Sequence, residues 1–297
     1  MTKERSLPKQ AILLVNAASR QGAKAFDSAR EKLKAAGIEL IDAEAVKEPE
    51  QLSGKIADAI GRAPMVILGG GDGTLSEAID QFVGKPVVFA FLPLGTANSF
   101  ARTLGSPLDL DGAIDVIANG EPRQIDLGRI NDDYFLNNAA IGLAPVVAES
   151  VPSGLKRVLG RLGYLLWAGW SAASFKAFRL IVEDGERQHR LWATEVRLAN
   201  GTYHGGMELI EAAGLHSGDV VVQAVEGRSV TKLGWNYVTN ALKFADRKQT
   251  VREFRGQRMR IETRPPMRVS IDGEIGPETP FEFSAAPNAV TIAAPKS

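Results

Sequence analysis

The sequence contains no cysteine among its 297 residues and carries no net charge, because 35 basic and 35 acidic side chains cancel. The missing thiols exclude disulfide frameworks, thiolate zinc sites and cysteine nucleophiles, as is typical of a reducing compartment. The balanced charge creates no overall field that would attract nucleic acid. The longest mostly apolar stretch, residues 164–175, is shorter than the roughly 20 residues of a membrane-spanning helix. We therefore expect a globular cytoplasmic protein that meets membranes only at their surface and has no nucleic-acid partner.

Two common nucleotide-binding motifs are also absent. No G-x-x-x-x-G-K-[ST] phosphate loop occurs, and the run GGGDGT at residues 69–74 lacks the G-x-G-x-x-G spacing of dinucleotide-binding folds. A phosphate site in this chain must therefore be built in another way.

The N-terminal part of the chain alternates between strand-like and helix-like segments. Strands are predicted at residues 11–16, 38–46, 65–68 and 87–94, and helices at residues 22–36, 49–62, 75–82, 97–104 and 110–119. Such alternation favours a parallel sheet that is covered by helices on both faces.

The pattern changes from residue 123 onwards to short strand-like pieces separated by turn residues. This pattern is typical of an antiparallel β-sandwich or barrel. Two helical stretches, near residues 154–178 and 229–246, interrupt it. We predict an α/β domain at residues 1–122 and a β-rich domain at residues 123–297, whose last residues can return to the first domain.

The glycine run follows a predicted central strand. A single glycine there is often only a tight turn that needs a positive φ angle. Four glycines at the carboxyl end of a strand lie where open α/β sheets bind ligands, and they let a phosphate approach backbone N–H groups. Asp72 would repel a phosphate directly, so it fits such a site with a cation in between, or as a base or acceptor for a hydroxyl.

A second glycine turn follows the next strand, in the sequence FLPLGTANSFAR. It offers Gly95, Thr96 and Asn98 at the start of a helix, where Thr96 could also be a simple N-cap. Asn16 closes the first strand at the same edge of the predicted sheet. These strand ends predict a crevice lined with small polar residues.

The motifs together resemble the signature blocks of the diacylglycerol kinase catalytic-domain family, and more narrowly those of its bacterial soluble lipid kinases. The blocks are GGGDGTLSEAID, PLGTANSFAR, IDLGRI with FLNNAAIG, ANGTYHGG and the late SIDGE, and they span about residues 11–295. GGDGT also occurs in NAD kinases and sphingosine kinases, whereas PLGT-x-N-x-FAR with the late DGE is more specific. The resemblance implies an NAD-kinase-like α/β domain with a parallel sheet, a C-terminal antiparallel β-sandwich domain for the lipid, and a nucleotide in the cleft between them.

The resemblance also implies roles for individual residues, with ATP and Mg²⁺ as cofactors. The positions that match nucleotide-binding residues are Asn16, Gly70, Gly71, Asp72, Gly73, Thr74, Leu75, Ser76, Glu77, Thr96 and Asn98.

The late DGE block carries the expected base. From the residues alone, Asp272-Gly273 could be only a polar hairpin turn. The resemblance implies that Glu274 is the general base, and we expect Asp272 to assist it. We expect Asp72 to act through Mg²⁺ and water; the alternative is that it acts directly, as the GGDG aspartate can in related kinases.

The chain departs from the family pattern at two places. The family's structural Mg²⁺ loop usually reads A-x-L-x-D-G, but here Ser217 replaces the aspartate, with Gly214 and Asp219 at the other two ligand positions. A serine is a poor substitute for an anionic oxygen ligand, unless Asp219 offers its own carboxylate. The family's nucleotide-contacting threonine also has no match in LIDAEAV, at residues 40–46.

A basic, aromatic-rich segment at residues 154–179 is the expected membrane contact. The alternative is a helix that packs on the core with a solvated basic side. We predict a lipid kinase at the inner face of the membrane that phosphorylates a diacylglycerol-like lipid and can form a homodimer. The alternatives are a kinase of a sphingoid base, ceramide, phosphatidylglycerol or NAD, and a non-catalytic nucleotide- or lipid-binding regulator.

Overall fold

The computed structural model describes residues 6–18, 20–142, 175–185, 187–208, 210–211, 213–227 and 251–296. The chain forms two compact units: Met1–Asn137 with Asn200–Gly218 and Ala285–Ser297, and Asn138–Ala199 with Asp219–Ser284. The helix predicted at residues 229–246 lies outside the described residues, as does the one predicted near 154–178 apart from its last four positions. The predicted domain division at residue 122 stays a prediction.

The first unit contains the expected parallel sheet. Its strands are β1 (Gln10–Asn16), β2 (Glu39–Val46), β3 (Met65–Gly70) and β4 (Val88–Pro93), in the order β2-β1-β3-β4. The C-terminal part of β17 (Phe281–Ala294) continues the sheet, since Thr291 pairs with Val88 in parallel. Every residue of β3 and β4 is buried, as continuous apolar strands of a doubly covered sheet should be.

Helices cover both faces of this sheet. They are α1 (Arg20–Ala35), α2 (Pro49–Arg62), α3 (Asp72–Ile79), α4 (Ser99–Leu104) and α5 (Leu110–Asn119), with a short 3₁₀-helix at Asp80–Phe82. Alternate residues of β1 enter opposite cores, because successive strand side chains point to opposite faces. Ile12 packs in the core that contains Ile56 and Phe82, and Leu13 packs in the core that contains Leu33 and Ile114.

Two antiparallel hairpins complete the first unit. One pairs β5 (Glu121–Ile130) with β6 (Asp133–Phe135), and β5 also pairs with β17. The other pairs β10 (Tyr203–His204) with β11 (Met207–Glu208).

The second unit is antiparallel, as predicted for the C-terminal part. Its strands are β7 (Asn138–Gly142), β8 (Phe178–Asp184), β9 (Arg187–Ala199), β12 (Val220–Glu226), β13 (Val251–Gly256), β14 (Arg258–Arg264), β15 (Arg268–Ile271), β16 (Glu274–Glu278) and the start of β17. Their order is β16-β15-β7-β9-β8-β14-β17, and β12 lies between β9 and β13. The register brings Ala139, Leu198 and Val222 into one buried row.

Candidate functional site

The loop between β3 and α3 is shorter than the glycine run in the sequence suggested. The chain passes from β3 to α3 through one residue, Gly71, whose carbonyl oxygen accepts the N–H of Leu75 at 3.2 Å. The helix was predicted to begin at Leu75, but it begins at Asp72, so Gly73 and Thr74 belong to its first turn. The first-turn N–H groups of a helix lack intrahelical acceptors and favour an anion.

The two predicted glycine turns lie side by side. A Cβ atom added at Gly95 would come within 2.6 Å of the Gly71 Cα and 2.7 Å of the Asn98 Oδ1. Such distances are shorter than any normal contact, so the approach of the two backbones requires glycine at residue 95. Among the described residues outside its own helical turn, a Cβ atom at Gly73 would meet no atom within 4 Å. The backbone at the start of α3 is therefore open, as a phosphate site would need.

Asn98 shapes the second turn from inside. Its Oδ1 accepts the N–H of Gly95 at 2.9 Å, and its Nδ2 donates to the carbonyl of Gly95 at 3.0 Å and to that of Pro93 at 3.3 Å. Asn98 has left-handed backbone angles, φ 46° and ψ 50°, and is itself the N-cap residue of α4. Thr96 is therefore not the N-cap, and it is exposed. The nucleotide contacts of both residues stay predictions.

Asp72 connects the two turns. Its Oδ1 accepts the backbone N–H of Phe100, in the first turn of α4, at 3.1 Å. The Asn98 side chain makes no capping hydrogen bond to α4, so this carboxylate takes over part of the capping role from the neighbouring helix. This connection could not be read from the sequence.

Asn16 and Thr74 bring the end of β1 to the same place. Asn16 Nδ2 donates to Thr74 Oγ1 at 3.0 Å, and Asn16 Oδ1 accepts the N–H of Ala18 at 3.1 Å. Leu75 is 2% exposed and packs in the core, whereas Ser76 is half-buried and Glu77 is exposed. Any nucleotide contact of Leu75 would therefore come from its backbone.

The ANGTYHGG block, to which the sequence assigned no role, packs against α4. The N–H of Gly206 donates to Ser99 Oγ at 3.1 Å, and the N–H of Tyr203 donates to Thr103 Oγ1 at 3.3 Å. Its buried Asn200 donates to the carbonyls of Asp126 and Leu136, each at 3.0 Å. The clustered glycines of this block were the only sequence signal for such close packing.

In the second unit, the DGE block forms a hairpin between β15 and β16. Asp272 and Gly273 both have positive φ angles, 45° and 99°, as a two-residue turn of type I′ requires. Asp272 Oδ1 accepts the N–H of Asn138 at 3.0 Å, and the Asp272 N–H donates to the Asn138 carbonyl at 2.9 Å. Asp272 therefore fixes the turn to β7, and Glu274, the first residue of β16, is exposed.

Two of the residues predicted as ligands of the structural metal bond to each other. The Ser217 hydroxyl donates to the Gly214 carbonyl at 3.1 Å, so both groups are engaged with each other. In the described ranges, no three His, Asp or Glu side chains are grouped so that they could hold a metal ion. Gly214 O therefore already has a hydrogen-bond donor, and the ligand roles of Gly214, Ser217 and Asp219 stay predictions.

The fold and the adjacent glycine turns define an α/β protein that offers backbone N–H groups at the carboxyl ends of parallel strands, where such sheets bind ligands. The diacylglycerol kinase catalytic domain pattern matches residues 10–130, and the YegS C-terminal NAD kinase beta sandwich-like domain pattern matches residues 139–294. The chain belongs to the diacylglycerol kinase family of lipid kinases.

Relatives and solved structures agree with this assignment. A diacylglycerol kinase of Staphylococcus epidermidis is 30% identical over 236 residues, which are 78% of this chain and 74% of the relative. One of Staphylococcus haemolyticus is 28% identical over 240 residues, covering 78% and 71%. A solved diacylglycerol kinase structure from Bacillus anthracis has a TM-score of 0.77 at 23% identity, covering 96% of this chain and 97% of the other. The structural likeness confirms the predicted fold.

Proposed function

We propose that the chain is an ATP-dependent kinase that transfers the γ-phosphoryl group to a hydroxyl of a diacylglycerol-like membrane lipid. The observation that carries the proposal is the close approach of Gly71 and Gly95 beside the open first turn of α3. This arrangement suits a polyphosphate, and the family match supplies the reaction type.

The nucleotide would be held by the backbone of the two glycine turns. The N–H groups of Asp72, Gly73 and Thr74 are the donors that α3 leaves without intrahelical partners. Bound ATP supplies the phosphoryl group, and Mg²⁺ neutralises charge on its phosphate oxygens. Asp72 is proposed to hold that cation through water, because one of its carboxylate oxygens suffices for the bond to Phe100.

Glu274 is proposed to accept the proton that the lipid hydroxyl loses as its oxygen bonds to the γ-phosphorus. The bond from that phosphorus to the bridging oxygen would break in the same reaction, and ADP would leave with that oxygen. Two observations support this assignment: the carboxylate is exposed, and the turn that carries it is held by Asp272 and Asn138. Asp272 is a positioning residue in this proposal, since its own carboxylate accepts the Asn138 N–H.

Contact with the lipid is proposed to occur at the inner face of the membrane. The basic stretch at residues 154–179, which the sequence favoured for this contact, lies outside the described residues except at its last five positions. Within the described part of the chain, no helix has the length and apolar character needed to cross a bilayer.

The proposal is tested by incubating the purified chain with γ-labelled ATP, Mg²⁺ and mixed vesicles. Separate reactions contain diacylglycerol, phosphatidylglycerol, ceramide, sphingosine or NAD as acceptor. Label in diacylglycerol supports the proposal. Label in another acceptor would show that the chain is a kinase with a different substrate. Nucleotide binding without label in any acceptor would favour a non-catalytic regulator instead.

A further inference from the structure

The segment Gly214–Gly218, here called the 214–218 loop, occupies the place where the family pattern has a structural Mg²⁺ site. Such a site needs a hard anionic oxygen together with free carbonyl oxygens. The sequence offers the neutral hydroxyl of Ser217 at the position of the anionic ligand.

The Gly214 carbonyl, which would have to face a cation, already accepts two hydrogen bonds. Gly214 O receives the Ser217 hydroxyl at 3.1 Å and the Ser217 N–H at 3.4 Å. A carbonyl oxygen has two lone pairs, so these donors occupy the directions in which a metal would bind. The loop then reverses at Gly218, whose φ angle of +67° favours glycine.

A buried carboxylate holds the loop from the other side. Asp126, in β5, is 3% exposed, and its Oδ2 accepts the N–H of Gly218 at 2.7 Å. The Asp126 N–H donates to the Leu215 carbonyl at 2.7 Å. Asp126 of β5 therefore bonds to the loop at two residues, Leu215 and Gly218. Hydrogen bonds to an ionised acceptor are roughly twice as strong as neutral ones.

The same carboxylate also bonds to the backbone of β17. Asp126 Oδ1 accepts the N–H of Asn288, another residue with a positive φ angle, at 2.9 Å. The Asp126 carbonyl accepts from Asn200. One carboxylate thus joins β5, the 214–218 loop and Asn288 of β17 within the first unit. A bound cation would otherwise provide this kind of cross-link.

We propose that in this chain the Asp126 carboxylate and the Ser217 hydroxyl replace a structural cation, so that the 214–218 loop is closed by hydrogen bonds alone. The chain then keeps its full thermal stability when divalent cations are removed. This inference goes beyond the proposed function and does not depend on it, because its readout needs neither nucleotide nor lipid.

The test measures the melting temperature of the full chain, without nucleotide, in chelator and in excess MgCl₂. The native chain is expected to melt at the same temperature in both. Ser217→Asp restores an anionic oxygen at the ligand position, and Ser217→Asn is its neutral control of similar size. We expect Mg²⁺ to raise the melting temperature of Ser217→Asp, but not of Ser217→Asn, by about 5 °C if Mg²⁺ saturates the new site.

Two further variants test the hydrogen bonds themselves. Ser217→Ala is expected to lower the melting temperature by about 2 °C in both buffers. Asp126→Asn is expected to lower it more, again in both buffers, because an amide can accept at only one of the two positions. A native chain that loses stability in chelator, or an Asp126→Asn variant as stable as the native chain, would overturn the proposal.

Discussion

The carboxylate of Asp72 accepts the backbone N–H of Phe100 at 3.1 Å, and this bond links the first turn of α3 to the first turn of α4. The two residues are 28 positions apart. Each glycine turn therefore depends on the other for its position. In the proposed kinase, the Asp72 carboxylate therefore has two roles. It fixes the two glycine turns to each other, and it holds the cation of the nucleotide through water.

The two roles of Asp72 can be separated by two substitutions. Asp72→Asn keeps an oxygen that can accept the Phe100 N–H, whereas Asp72→Ala removes it and is expected to cost about 1 kcal/mol of stability. Phosphoryl transfer is expected to fall strongly in both variants, because neither carries the negative charge. Thermal unfolding and transfer from labelled ATP give the two readouts. Native activity in Asp72→Asn would show that Asp72 serves only the fold.

Gly95 is expected to tolerate no side chain. In Gly95→Ala the new methyl group would overlap Gly71 and the Asn98 oxygen, so the two turns must separate, at a cost of about 1–3 kcal/mol. Calorimetric titration with ATP should show weakened binding together with this loss of stability. Gly61→Ala in α2, where a Cβ atom meets nothing within 4 Å, is the control and should bind ATP normally.

Gly73 tests whether the open first turn of α3 is the phosphate site. Gly73→Ala adds a methyl group that comes within 4 Å of no atom in the described part of the chain beyond its own helical turn, so the fold should be undisturbed. If a phosphate occupies that space, the KM for ATP should rise about tenfold or more, which corresponds to roughly 1.4 kcal/mol of lost binding. An unchanged KM for ATP would place the phosphates elsewhere.

Asp272 is expected to act by holding the hairpin rather than through its charge. Asp272→Asn preserves an acceptor for the Asn138 N–H and a residue that tolerates left-handed angles, so kcat should stay close to native. Asp272→Ala loses both, with an expected cost of about 2 kcal/mol and a lower kcat. A large fall of kcat in a stable Asp272→Asn variant would instead assign the charge a direct part in the reaction.

The sequence predicted that the three strand ends meet, because its signals for strand ends are local. Glycines that follow a buried apolar run signal the end of a strand in a parallel sheet. Asn16 marks the end of β1 in the same way. The start of α3 was misplaced because glycine is a poor helix former, which favoured Leu75 over Asp72 as the first helical residue. The prediction also began α4 two residues too early, at Ala97 instead of Ser99. The left-handed backbone of Asn98, which is held by hydrogen bonds within the turn, delays the start of the helix.

The hydrogen bonds that Asp72 and Asp126 accept could not be predicted from the sequence. Their partners are the backbone N–H groups of Phe100, Gly218 and Asn288. Every residue except proline carries such a donor, so no residue type signals it. Only the fold shows which donors meet which carboxylate.

The most direct test of the central claim is the rate at which labelled phosphate moves from ATP to diacylglycerol in vesicles, compared between the native chain and Glu274→Gln. Glu278→Gln, which neutralises another exposed carboxylate of β16, is the matched control. The account predicts labelled phosphatidate from the native chain and the control, and a rate about 10²–10⁴-fold lower in Glu274→Gln, as expected for loss of a general base. Native rates in Glu274→Gln, or no labelled lipid from the native chain, would contradict it.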